Sequence, residues 1–580
     1  MNRMQQKELT NEALNTFGFG DGGGGPTNEM LENGRRLAYG IGGLPTVTYE
    51  FAGSFLDRLE RNSRATEKLP RWVGELYLEY HRGTYTSNAK NKKNNRRCEF
   101  LYTNAETLSV IDGILLNGAY PREQLLYGWE RIMLCQFHDV LPGSSIKPVY
   151  DDTDIIYADV MKRGKQICDG VHNKIAGAIA PRGDDVLVYN QNGFCASGVV
   201  MYDGEMMYAE NVPSKGYALV SLMRGHAGAA ADINAKVMEN DFIRVRFAPD
   251  WSISELYDKS AHREVLCGAG NRLAAYEDFP RAYDAWEITN YYKEKSNDVN
   301  DVTAVSIIDC GACVGFEVTR RYLDSEIIQR ITITPYDKKI DFKTKIDWHN
   351  RHMLLKAHFP VAVNASEATY EIQYGHVKRP THENTSWDAA KFEVCAHKYA
   401  DISEHGYGFS IINDCKYGHS CVGTELSLTL LKCATNPNPE ADQGVHEFTY
   451  SIIPHEGDFR EAGIVQAAYL LNNPLIAATP RGTAGNTALT PEYSLISADR
   501  DNIIIEVVKR AEDVDNAVIV RLYDAYNMRS SVTLTAGFDF ERVMTADMEE
   551  NDILPLTADH GRVTIDVAPF EIVTLKYYIK

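Results

Sequence analysis

The period of the hydrophobic positions changes along the chain and divides it. Through residues 1 to about 60 the pattern is short and broken. Two helix-like segments are readable there, Asn28 to Leu37 behind a Pro26-Thr27 start, and about Glu50 to Arg61. From about 70 to 180 apolar residues recur at helical spacing. One helix carries Phe100, Leu101, Leu108, Ile111 and Leu115 and stops at Asn117-Gly118, a strong C-terminal signal. A second, Arg122 to Gln136, sets Leu125, Trp129, Ile132 and Met133 toward a core, and "SSIKPVYDDTDIIYADVMKRGKQICDGVHNKIAGAI" supplies a third. Three helices with short links predict a bundle.

From about residue 185 the period becomes two. "DVLVYN", "FIRVRF", "GFEVTRRYL", "IIQRITITPY", "KKIDFKTKIDW", "NIIIEVVKR" and "EIVTLKYYI" alternate, or run β-branched and aromatic, between Gly, Asn and Asp connections. They predict antiparallel β-sandwiches, and nearly 400 residues of them require more than one sandwich or a very large one. No repeat of fixed period and no alternation of strand with helix is present, so these residues do not encode a parallel α/β sheet. The fold class is therefore multidomain and mostly β: a short broken segment, a three-helix bundle, then large antiparallel sandwiches. The expected divisions are 1–65, 66–182, 183–460 and 461–580.

Composition narrows the partners. The formal net charge of -20 over 580 residues argues against nucleic acid and anionic membrane surfaces and for neutral or small ligands. The first residues, "MNRMQQKELTNEAL", have no apolar signal core, and no apolar run reaches membrane-spanning length. The eleven cysteines are scattered and odd in number, which suits reduced thiols in a cytoplasm. The one Cys-x-x-Cys, Cys310 to Cys313 in "DCGAC", lacks the second pair of a zinc ribbon and reads as a glycine-containing strand connection.

Three stretches carry candidate chemistry. "GDGGGG" (20–25) is neither a dinucleotide nor a P-loop signature; it is either a flexible turn or a close backbone approach to a ligand, with Asp21 in a cleft. Around Gly83, the residues Tyr80, His81, Arg82, Tyr85 and Thr86 mix aromatic faces with polar groups, as a pyranose requires, though a solvated loop fits equally. "QFHDVLPGSS" (136–145) pairs His138 with Asp139 where a helix runs out. An imidazole beside a carboxylate is either a metal or sugar ligand or a hydrogen-bonded structural histidine. None of the sixteen histidines falls in His-x-Asp, His-x-His or HExxH spacing. The dyads at His382, His446 and His455 sit in strand-rich regions and read as ladder residues.

Together, "FGFGDGGGGPT", "WVGELYLEYHRGTYTSNAKNKKNNRRCE", "QFHDVLPGSSI", "YEDFPRAYDAWEI", "IDWHNRHMLLKAHFP", "YGHVKRPTHENTSWDAAKFEV", "NDCKYGH", "EADQGVHEFTYSIIPHEGDF" and "APFEIVTLKYYI" resemble, in order and over nearly the whole chain, the family 38 α-mannosidases of bacterial and cytosolic type. The resemblance implies that the broken first segment is a remnant of an α/β catalytic domain, and that the protein is a retaining glycosidase with one attacking carboxylate and a second acting as acid and then base. It also implies a zinc ion that binds two adjacent mannose hydroxyls. Carried over, His138 is a zinc ligand, Asp139 and Tyr85 bind the sugar, His81 takes the place of a stacking aromatic ring, and Asp21 matches the acid/base region. The implied substrate is a mannose-containing oligosaccharide, and a homo-oligomer is expected of the full-length form. The family's other zinc ligands, a His-x-Asp, and its nucleophile segment find no match, so the zinc site is expected to be incomplete and most of the catalytic domain missing. A truncated product, the second half of a split enzyme with an N-terminal catalytic partner, and a non-catalytic carbohydrate-binding protein are the three origins this allows.

Overall fold

A computed structural model describes residues 7–20, 23–64, 66, 68–77, 79–483 and 489–579. It divides into two units, Met1–Tyr77 and Leu78–Lys580. In the first, helices α1 (Asn28–Ala38) and α2 (Ala52–Ser63) fall where the sequence places them. The Thr27 side chain caps α1 by accepting from the Met30 backbone N–H. Among the described residues of this unit only Phe55 is a buried apolar side chain, while Phe51, Val73 and Leu76 are each more than three-quarters exposed. So little burial cannot offset the entropy of ordering the segment. Limited proteolysis of the full chain should therefore remove residues 1–77 first and leave the second unit. Early cleavage near residue 300 with the first 77 residues intact would contradict this.

The second unit opens with the expected bundle: α3 (Ala89–Leu116), α4 (Arg122–Cys135) and α5 (Lys147–Ala178). α3 ends on Asn117 in the left-handed conformation, as the Asn-Gly signal predicts. The expected core stripe of α4 needs one correction. Leu125 and Ile132 are buried and Trp129 packs edge-on against Tyr102, but Met133 is exposed. The buried face is Leu125, Gly128, Ile132 and Cys135. Gly128 sets it, because a Cβ there would lie 1.8 Å from the Tyr102 ring, so α4 approaches α3 along the glycine and Met133 is turned 100° away from Ile132.

The rest is antiparallel sheet. A nine-stranded sheet, from Asp301–Asp309 at one edge to Gly375–Pro380 at the other, faces a six-stranded sheet built around Arg272–Glu277, Met353–Pro360 and Glu425–Lys432. Phe342 of the first and Phe359 of the second meet across the gap at 6.2 Å between ring centroids, and Tyr450 stacks on Phe342 at 4.9 Å. A second sandwich combines a five-stranded sheet around Ala517–Asp524 and Ile572–Ile579 with a four-stranded sheet around Ser530–Ala536. Its apolar core is continuous with that of the bundle: Leu108 and Ile111 of α3 share one buried cluster with Val508, Val520 and Leu575. Strand pairing crosses the division expected near residue 460, since Val186–Asn190 pairs with Ile476–Ala478. No helix among the described residues is long and apolar enough to cross a membrane.

Burial keeps several histidines neutral, His419 and His172 among them. It draws the pKa of His419 down to about 3 and that of His172 down to about 4. Below about pH 6.5 the unfolded chain takes up protons at these positions and the folded chain does not, so stability falls with pH through that window. Each group contributes a slope of about 1.4 kcal/mol per pH unit at its steepest. Denaturation midpoints measured from pH 7 to 4.5 should fall, and His419→Gln should make the fall shallower. An unchanged slope in that variant would refute the assignment.

Candidate active site

α4 gives way at Cys135 to a chain of tight turns. Val140 and Leu141 donate their N–H groups to Phe137 O, Gly143 N–H donates to Val140 O, and Ser144 N–H donates to Asp139 O. Tyr150 at the start of α5 donates its hydroxyl to Asp139 O at 3.2 Å. His138 lies beyond the helix, so its exposure comes from the turn and not from a helix face.

The turn rests on the first two turns of α3. Asn91 Nδ2 donates to Val140 O at 2.8 Å, and Asn88 Nδ2 to Gly143 O at 2.7 Å. Lys92 Nζ donates to both Leu141 O (2.9 Å) and Ser87 O (2.6 Å). Gln136 Nε2 reaches Asn95 and Glu99. Gly143, at φ +88°, lets Ser87 come this close, since a Cβ there would sit 2.0 Å from Ser87 O. Burial lowers the Lys92 pKa to about 7, and nearby Asp442 opposes that shift. The Asp442 carboxylate also caps α3, accepting from Asn88 N–H at 2.8 Å and Ala89 N–H at 2.7 Å. Beside this junction a cavity of about 210 Å³ is lined by Lys90, Lys147, Tyr150, Asp154, Glu440 and His446.

On this platform the His138 side chain is 77% exposed, with Nε2 3.6 Å from Asp139 Oδ2. Its ring lies 4.4 Å from that of Phe137. Asp139 Oδ1 accepts from Ser144 Oγ at 2.7 Å, which fixes the carboxylate. The segment 81–87 meets the same platform at Ser87. His81 is half-buried, with Nδ1 3.3 Å from Glu79 O, and Tyr85 is half-buried in a 3-10 turn, Gly83–Tyr85. The structure thus brings the His81–Tyr85 and His138–Asp139 stretches to one end of the bundle. Asp21 lies outside the described residues.

Arg82, which the sequence shows only as one member of a polar cluster, anchors this end. Its guanidinium donates from NH1 to Glu287 Oε1 at 3.0 Å and from Nε and NH2 to Ala390 O, and lies 4.4 Å over the Phe392 ring. It ties the loop bearing the exposed Phe279 and Tyr283 and the short helix Ser386–Ala390, which bears the exposed Trp387, to the His81 segment. Aromatic faces beside hydroxyl-binding polar groups are what a sugar requires.

A catalytic zinc takes three protein donors and keeps an open position. Among the described residues no three His, Cys, Asp or Glu side chains converge in that way. His138 and Asp139 by themselves therefore do not fit a catalytic zinc.

Four family models match the chain in order. They are the glycosyl hydrolases family 38 N-terminal domain (residues 1–75), the alpha mannosidase middle domain (79–175), the glycosyl hydrolases family 38 C-terminal domain (238–440) and its C-terminal beta sandwich domain (502–575). Alpha-mannosidase 2C1 of Homo sapiens is 34% identical over 98% of this chain and 56% of its own length. Alpha-mannosidase G of Dictyostelium discoideum is 31% identical over 98% of this chain and 58% of its own length. The chain thus spans a little over half the length of these relatives. In fold it is similar to an alpha-mannosidase from Enterococcus faecalis V583, with a TM-score of 0.76 at 15% identity, over 92% of this chain and 72% of that one. With matches to each part of the family's domain series in order from residue 1 to residue 575, the chain belongs to glycosyl hydrolase family 38.

Proposed function

We propose that the chain is part of a retaining α-mannosidase that removes terminal α-mannosyl residues from mannose-containing oligosaccharides. The observation that carries this reading is the platform under residues 137–144. A run of buried polar contacts holds the turn rigid while leaving the His138 imidazole free and one Asp139 oxygen uncommitted to Ser144. Such rigidity suits residues that hold a substrate or ion and not merely a solvated loop. In this reading Asp139 and Tyr85 accept and donate hydrogen bonds to sugar hydroxyls, His81 lies against the ring, and Asp21 transfers the proton to and from the glycosidic oxygen. His138 supplies one zinc donor. The attacking carboxylate and the remaining donors come from polypeptide beyond the described residues, in a covalently continuous or separate N-terminal catalytic half. A homo-oligomer and a cytoplasmic location complete the proposal; the eleven free thiols suit a reducing compartment.

The test is turnover of an aryl α-mannoside by the purified 580-residue chain with added zinc. Activity should be at least about 10⁴-fold below that of the same chain combined with the N-terminal half of a family relative, the scale of losing a nucleophile. Robust turnover by the chain alone would place the attacking carboxylate within it. An inert reconstituted protein that still binds mannosides would favour a carbohydrate-binding module.

A further inference from the structure

The link that closes the hairpin of strands Asp301–Asp309 and Val314–Tyr322 carries two cysteines that the mannosidase reading does not use. We propose that Cys310 and Cys313 form a reversible dithiol–disulfide pair, a site of oxidative modification at the edge of the nine-stranded sheet.

The backbone places the two residues opposite each other. Asp309 pairs with Val314 in the antiparallel register, and the next rung is Cys310 N–H donating to Cys313 O at 3.1 Å. Directly opposed residues of an antiparallel pair have Cα atoms about 4.5–5.5 Å apart, inside the roughly 4.4–6.8 Å that a disulfide spans. Both residues are thiols here, and Cys310 Sγ donates to Cys313 O at 3.6 Å.

The link is also held in place. Met206 N–H donates to Cys310 O at 3.1 Å, Ala312 N–H donates to Met206 O at 2.7 Å, and His226 Nδ1 lies 3.1 Å from Gly311 O. Gly311, at φ +84°, makes the bend, and a Cβ on it would sit 2.3 Å from Met206 O. A link ordered in this way loses little further entropy on oxidation.

The two sulfurs differ as an attacking and a resolving thiol must. Cys310 is half-exposed and Cys313 is buried. The neighbouring Cys313 thiol favours the Cys310 thiolate and lowers its pKa to about 7, while Cys310 and burial raise that of Cys313. Asp309, Arg330 and His226 face Cys310, and Asp341 and Lys339 face Cys313.

The chemistry balances with a small-molecule disulfide as oxidant. The Cys310 thiolate attacks one sulfur of that disulfide, breaks its S–S bond, forms a mixed disulfide and releases one thiolate. The Cys313 sulfur, having lost its proton to solvent, then displaces the second thiolate and closes the intramolecular bond. One disulfide is reduced to two thiols, and the protein dithiol is oxidised by the same two electrons. A thiol such as reduced glutathione reverses both steps.

The test equilibrates the whole chain with reduced and oxidised glutathione at graded ratios, quenches with acid, alkylates, and reads each cysteine by peptide mass spectrometry. The expected result is a Cys310–Cys313 disulfide whose fraction rises with the oxidised form and reverses on reduction. Cys313→Ser should instead accumulate glutathione on Cys310. In the untreated protein at pH 7, Cys310 should alkylate at least about threefold faster than the exposed Cys195, the gain in thiolate fraction less the loss of nucleophilicity. The proposal falls if both cysteines stay alkylatable at every ratio while Cys195 and Cys267 acquire glutathione. It falls equally if the Cys313→Ser protein, folded by its melting curve, leaves Cys310 unmodified.

Discussion

Arg82→Met is expected to destabilise the Leu78–Lys580 unit by about 3–5 kcal/mol, the usual scale for removing one partner of a buried ion pair. The side chains of Arg82 and Glu287 are 8% and 6% exposed, and 3.0 Å separates NH1 from Oε1. Without the guanidinium, Glu287 keeps, among the described residues, only its Ile288 N–H donor and remains a buried carboxylate. Ala390 O also loses both of its Arg82 donors. Arg82→Met combined with Glu287→Leu removes the charge along with its partner, so the double variant should recover most of the loss. Urea denaturation of the wild type, both single variants and the double variant closes the cycle. A single variant costing less than about 1 kcal/mol, or a double variant as unstable as the sum of the two, would show that the pair does not hold this end of the molecule. Mannoside affinity of a reconstituted enzyme should fall with the single variant, because Arg82 fixes the loop bearing Tyr283 and the helix bearing Trp387 relative to His81.

The elements of the fold were legible wherever one period dominated. The Asn117-Gly118 stop, the start of α4 after Pro121 and the alternating strands such as Ile340–Trp348 all stand where the pattern puts them. α3 shows why other features were hidden. Asn88, Asn91, Lys92, Asn95, Arg96 and Glu99 repeat at three- and four-residue intervals and look like a solvated face. In the structure all but Glu99 are buried. Their partners lie at positions such as Val140, Asn413, Tyr417 and Asp442, remote in sequence. Periodicity reports which residues share a face and not whether that face meets water or a polar neighbour. Only the unusual density of Asn and Lys before an apolar helix hinted at it.

Met133 was misplaced for a related reason. Hydrophobicity gives Gly128 no weight, yet the absence of its side chain decides how closely α4 approaches Tyr102. In the candidate site, His138 and Asp139 were found through resemblance; nothing in their spacing distinguishes a ligand pair from a structural one. Gly143 and Ser87 gave no signal, because a contact of backbone with backbone leaves no side-chain pattern to read.

His138→Ala is expected to lower zinc affinity of a reconstituted enzyme by at least about 100-fold and to change stability by less than about 0.5 kcal/mol. The two halves of this expectation come from the same geometry. The imidazole is 77% exposed, has among the described residues no polar partner closer than Asp139 Oδ2 at 3.6 Å, and lies against the Phe137 ring. Its removal leaves no cavity and strands no buried polar group, so the folded state loses little. A zinc site that loses one of its few protein donors, by contrast, cannot recover it from a turn whose neighbours are already committed. Ser144 holds Asp139, and Asn88, Asn91 and Lys92 hold the carbonyls. Trp129→Ala is the opposite case. It empties the space against Tyr102 and leaves Glu106 without its indole donor, and should cost about 3 kcal/mol while leaving zinc affinity within a few fold. Competition against a chromophoric chelator and denaturation midpoints for the two variants separate these effects. Undiminished zinc affinity in His138→Ala would remove His138 from the metal site, and a stability loss comparable to Trp129→Ala would make it a structural residue of the turn.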